Sequence, residues 1–144
     1  MFTFGLAAGA IAGAIMLFLS HLAPYVGAGN FVRDLDVPHV FGREITRREA
    51  HVLGVLVHML LTAAFGGLFL FLYSLGIFAD LGIISVLEWG LVVTIFMGGV
   101  VMPIEGHGLF GINEDVWFPL DLLMTYVAWA AVYWWILQLW QSAI

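Results

Sequence analysis

Long apolar runs, with almost no polar interruption, set the plan of this chain. Thr3 to Pro24, Val52 to Ser74 and Phe118 to about Trp140 each supply the roughly 20 mostly apolar residues that a membrane-crossing helix needs. A further run, about Leu81 to Pro103, has the same character except for Glu88 in its first third. A carboxylate at that depth reaches the interface, so the run still qualifies as a span. The pattern predicts an all-α, four-transmembrane-helix bundle forming one domain over residues 1–144. The first run follows Met1 directly and lacks the basic leader of a cleaved signal peptide, so it is read as a retained span.

Local signals refine the ends. Thr46-Arg47-Arg48-Glu49 has the capping-box pattern, which predicts that the second helix begins at Arg47, ahead of its apolar part. Pro119 suits the first turn of the last helix, and Asp121 in that turn faces the favourable end of the helix dipole. In the first run Gly5, Gly9 and Gly13 recur every fourth residue among alanines, a face built for close backbone approach. Gly66 and Gly67 in the second run, with Ala63, and Gly90, Thr94 and Gly98 in the third are weaker counterparts. Such a face serves either an internal seam or a homodimer.

A motif recurs. Pro24-Tyr-Val-Gly27-Ala-Gly29-Asn-Phe31 and Pro103-Ile-Glu-Gly106-His-Gly108-Leu-Phe110 share Pro-x2-Gly-x-Gly-x-Phe at the ends of the first and third runs. The match suggests two parallel-repeat helical hairpins. The competing explanation is that proline and glycine punctuate two helix ends independently.

Composition narrows the partners. Of 144 residues, 63% are apolar and only 10% charged, where soluble domains carry about 25%, so most of the surface meets something other than water. The absence of cysteine removes disulfides, thiolate metal sites and cysteine nucleophiles. A net charge of −6 without any basic stripe argues against nucleic acid. The lipid bilayer is the expected environment. Arg33, Arg43, Arg47 and Arg48, the full set of basic residues, lie between the first two runs. That loop is therefore expected in the cytoplasm, with both termini outside. Trp134, Trp135 and Trp140 then suit an outer aromatic belt, and Tyr25 and Trp117 an inner one. The lysine-free, acid-rich balance suits a prokaryote with a GC-rich genome or a salty cytoplasm, and the expected location is that cell's plasma membrane.

Ionisable groups inside spans are costly and mark candidate sites. His58 lies in the apolar part of the second helix, two turns beyond His51, while His21 ends the first run and Glu105 and His107 follow the third. His21, His51, Glu105 and His107, with Asp121, offer the nitrogen and oxygen donors that suit zinc or another first-row metal ion, although no zinc-site spacing is present. His21 with His58 or His51 could ligate haem b between helices, which requires a matched depth that His21 and His58 lack. A path for protons or a small solute past His58 and Glu88 is a further reading. For His58 the ordinary alternative is a hydrogen bond to Thr62 or to a neighbouring carbonyl. Nucleophile elbows, phosphate loops and paired carboxylates are absent, so an enzyme is not expected and no catalytic residue is assigned.

The stretch from His58 through Gly66 to Tyr73, followed by Gly98-Gly-Val-Val-Met-Pro103-Ile-Glu-Gly-His-Gly-Leu-Phe-Gly111, resembles a group of small four-helix membrane proteins of bacteria and archaea. The resemblance covers most of the chain and implies a duplicated helical hairpin, but brings no activity with it. That group's pattern implies a histidine in the fourth span, and near Thr125 this chain has none. The role expected on balance is a structural or accessory bundle, either a homo-oligomer or a subunit of a larger membrane complex.

Overall fold

A computed structural model describes residues 1–22, 39–40, 43–44, 46–104, 106–113 and 116–142. Its elements are α1 (Phe2–Leu22), β1 (His39–Val40), β2 (Arg43–Glu44), α2 (Arg47–Ser74), α3 (Ile83–Phe96), a π-helical segment (Met97–Val101), α4 (Met102–Ile104), a 3-10 turn (Leu109–Gly111) and α5 (Phe118–Gln141). The helices supply four segments long and apolar enough to cross a membrane: Phe2–Leu19, Val52–Ser74, Ile83–Ile104 and Phe118–Gln141. β1 and β2, which the hydrophobic pattern does not signal, form a short antiparallel ladder pairing His39 with Glu44 and Val40 with Arg43.

Helix α2 begins at Arg47 because the capping box forms. The Glu49 amide donates to Thr46 Oγ1 at 3.2 Å, and the Thr46 amide donates to Glu49 Oε2 at 2.8 Å. It ends in a Schellman motif, with Gly76 in the left-handed region (φ +78°), its amide on the Tyr73 carbonyl and the Ile77 amide on that of Leu72. Asp80 Oδ1 then takes the Gly82 amide at 2.8 Å and the Ser85 hydroxyl at 3.0 Å, which starts α3 at Ile83, two residues later than the apolar run begins.

The third long apolar helix ends at Ile104, one residue past Pro103, where the apolar run is expected to stop. Pro103 has no N–H, and in an α-helix its ring would press on the carbonyl four residues back, at Gly99. The backbone widens instead: the Met102 amide reaches Met97, five residues back, and α4 carries the helix through Pro103 to Ile104. A second Schellman motif closes it, with Gly106 at φ +86°, its amide on Pro103 and the His107 amide on Met102 at 2.9 Å. Pro119 occupies the first turn of α5 together with Asp121.

The packing is uneven. α1 lies closely along α2, α3 along α5, and α1 along α5. The α2–α3 side is bridged by rings, with Phe69 beside Trp89 at 6.3 Å between centroids and Phe65 edge-on to Phe96 at 6.0 Å. Trp129 and Tyr133 stack at 5.2 Å in the centre, and both are almost fully buried.

Candidate functional site

The glycine faces come first, because they set where every other group lies. A Cβ on Gly9 would press on the Thr62 carbonyl and stand 3.0 Å from Gly66 Cα. One on Gly66 would stand 2.7 Å from Gly9 Cα. Gly5 meets the Gly66 carbonyl, Gly13 meets the Thr62 side chain, and Gly67 is covered by Leu6 and Phe2. In this chain the face of α1 is therefore spent on α2, within one molecule. Gly98 serves differently, since a Cβ there would overlap the Phe110 ring.

Close approach leaves helix carbonyls open to a further donor. Tyr133 donates its hydroxyl to the Gly66 carbonyl at 2.7 Å, Trp129 donates Nε1–H to that of Gly9 at 3.4 Å, and Trp89 donates to that of Phe65 at 3.1 Å. Three buried threonines donate to the carbonyls four residues back on their own helices: Thr62 to His58 at 2.9 Å, Thr94 to Gly90 at 2.8 Å and Thr125 to Asp121 at 2.8 Å. Gly90 packs on Tyr126 and Ala130 one turn before Thr94, so Thr94 and Thr125 lie at about one level of the bundle, while Thr62 faces Gly13 of α1.

One turn below Thr62, His58 is half-buried with its ring against the Gly13 backbone, and its Nε2 is buried without a hydrogen-bond partner. The hydrogen bond to Thr62 runs from the Thr62 hydroxyl to the His58 carbonyl, while the imidazole itself is hydrogen-bonded to the Gly13 backbone of the neighbouring helix, which leaves Nε2 as its one unpartnered nitrogen. The indole nitrogen of Trp134 is likewise buried and unpartnered.

The other candidate ligands separate by level. Antiparallel packing that sets Gly9 opposite Gly66 and Gly13 opposite Thr62 brings the backbones of His21 and His51 to similar levels. His21 follows Gly13 by eight residues, about 12 Å along the axis, so it is not level with His58 as a haem pair would require. The side chains of His21 and His51, and all of Glu105, lie outside the described residues. His107 is half-buried in the loop after α4, and its backbone carbonyl accepts from the Asn113 amide at 3.1 Å. Asp121 is exposed. Among the described residues no three histidine or acidic side chains gather as a metal site.

Glu88 points outward from α3, so it lines no path through the interior. Of the belt tryptophans, Trp140 stacks on Phe4 at 4.3 Å, Trp135 and Trp117 are exposed, and Trp134 is half-buried; Tyr25 lies outside the described residues. The buried donors Trp89, Trp129 and Tyr133 were not signalled by spacing. The usable signal is position: an indole or phenol in the middle of a long apolar helix, once buried, needs an internal acceptor.

Compared with models of protein families, with curated proteins and with solved structures, the chain matches none.

Proposed function

We propose that this chain is an integral membrane protein of a prokaryotic plasma membrane, in which α1, α2, the α3–α4 unit and α5 cross the bilayer. It serves there as a structural or accessory bundle within a larger membrane complex, without catalysis of its own. The carrying observation is that the central aromatic and threonine donors are spent within the bundle. Its mid-span aromatic donors Trp89, Trp129 and Tyr133 end on helix carbonyls and its threonines on their own helices, while outward positions such as Leu60 and Ile84 are about 70% exposed and apolar. Such a surface suits lipid and neighbouring helices.

Alkaline extraction of membranes tests the first half: the protein should stay in the pellet, and release into the supernatant would overturn the reading. Purification in mild detergent tests the second, with co-migrating subunits expected and a monodisperse lone bundle counting against it. The arginine distribution supports a cytoplasmic position for the loop between α1 and α2. Gly42→Cys should then be shielded from an impermeant thiol reagent in intact cells, and Ile77→Cys in the opposite turn should be labelled. The reverse pattern would invert the topology.

A second reading, small-ligand or metal binding, is favoured by one observation, the unpartnered Nε2 of His58. Stoichiometric metal or a Soret band in purified protein would replace the purely structural role. The duplicated hairpin likewise stays a proposal, resting on the Pro-x2-Gly-x-Gly-x-Phe motif.

A further inference from the structure

Among the described residues Glu88 is the one charged side chain lying more than a turn inside a membrane-length segment, since Arg47, Arg48 and Glu49 precede Val52 and Asp121 sits in the first turn of α5. It is exposed and makes no hydrogen bond or ion pair among the described residues, whereas Asp80 nearby is engaged by Gly82 and Ser85. Its neighbours on the helix surface are Ile84, Leu91, Val92 and Ile95, all exposed. The spacing makes one apolar stripe along α3 with a single carboxylate in it. Glu88 follows Ile83 by five residues, about 7.5 Å along the axis, inside the hydrocarbon on the membrane reading. From there an unpaired carboxylate has to bend back along the apolar stripe to reach the interface, whereas a cation opposite lets it stay within the stripe.

We infer that this stripe of α3 is the docking face for a membrane-spanning helix of a different chain, which sets an arginine, lysine or histidine opposite Glu88 with apolar residues a turn to either side. The inference rests on the membrane-bundle reading and names the chemistry of its partner. Charge decides the occupant. A second copy packed symmetrically on the same stripe would bring two carboxylates together. This chain also has no arginine or lysine to offer at that depth, because all four arginines precede Val52 in sequence, and Arg47 and Arg48 open α2 at the opposite end of the bundle from the start of α3.

The test is photo-crosslinking in membranes of the source cell, with benzoylphenylalanine placed singly at Leu91, at Ile95 and, as control, at Ile11 on the outer side of α1. One adduct of the same mass is expected from Leu91 and Ile95 but not from Ile11. Its partner peptide should come from a hydrophobic span carrying a basic residue. Glu88→Leu should abolish the adduct and Glu88→Asp should retain it. Because the site is exposed and apolar, Glu88→Leu leaves the bundle folded, which co-fractionation and thermal melting of the same sample confirm. Adducts with lipid alone, dimers of this chain, an adduct indifferent to Glu88, or a crosslinked span without a basic residue would each overturn the docking face. Alkaline extraction of the same membranes separates the two failures: release of the protein removes the bundle reading itself, whereas a retained protein with lipid adducts removes the docking face alone.

Discussion

At the scale of single residues, the bundle depends on atoms that are missing. Gly9 and Gly66 stand where any Cβ would meet the opposing backbone, so Gly9→Leu should abolish monodisperse purification, and even Gly9→Ala should lower the melting temperature in detergent. Ile11, exposed on the same helix, is the proper control, with Ile11→Ala near neutral. Leu17→Ala is expected from the sequence to matter less than Gly9→Leu, yet Leu17 continues the glycine spacing and is only 9% exposed, so truncating it would open a cavity. Tyr133→Phe removes the hydrogen bond to Gly66 and nothing else, and should cost about 0.6–1.7 kcal/mol, measurable by denaturant titration in detergent. The glycines were legible because spacing alone marks a face. The acceptors were not, because a carbonyl freed by close helix approach leaves no trace in the sequence.

At the scale of elements, helix ends were the most legible feature. The Thr46 box forms with both of its hydrogen bonds, and Thr46→Ala should cost about 1 kcal/mol, with faster amide exchange confined to the first turn of α2. Gly106 holds a left-handed cap, so Gly106→Ala should cost about 1–2 kcal/mol, whereas Pro103→Ala should restore α-helical hydrogen bonding across the widened segment. Amide exchange or NMR shifts of residues 97–102 would check the latter. That widening was not legible, since proline at the end of an apolar run reads simply as a stop. Phe110 adopts φ 54° and lays its ring where Gly98 has no side chain. In the register that pairs Pro103 with Pro24, the place of Gly98 falls on Leu19, and those of Gly9 and Gly13 fall on Glu88 and Val92. The shared motif therefore stops short of the packing features, and Gly106, as the residue that caps a helix, accounts for part of it as punctuation.

At the scale of the whole molecule, the number and approximate limits of the apolar helices follow from hydropathy, because length and composition alone settle them. Which helix lies against which does not. α1 and α2 touch backbone to backbone, while α2 and α3 are held apart by aromatic rings, a difference set by side-chain volume across helices that sequence order does not reveal. Sequence position groups His21, His51, Glu105 and His107 near one end of the apolar runs with His58 apart from them, and the contacts of Gly13 with Thr62 and His58 set His58 at its own level along the axis. The seam between α1 and α2 also orders the assembly of the chain in time. Its closing positions the Gly9 and Gly66 carbonyls as a pair of acceptors, and their donors, Trp129 and Tyr133, belong to α5, which is synthesised after both helices of the seam. The first hairpin thus acts as a template on which α5 is recognised, and a defect at Gly9 should appear as failure to retain the C-terminal half. Co-expression of residues 1–79 and 80–144 as separate chains gives the measurement: the halves should co-purify when Gly9 is intact and part when it is Leu.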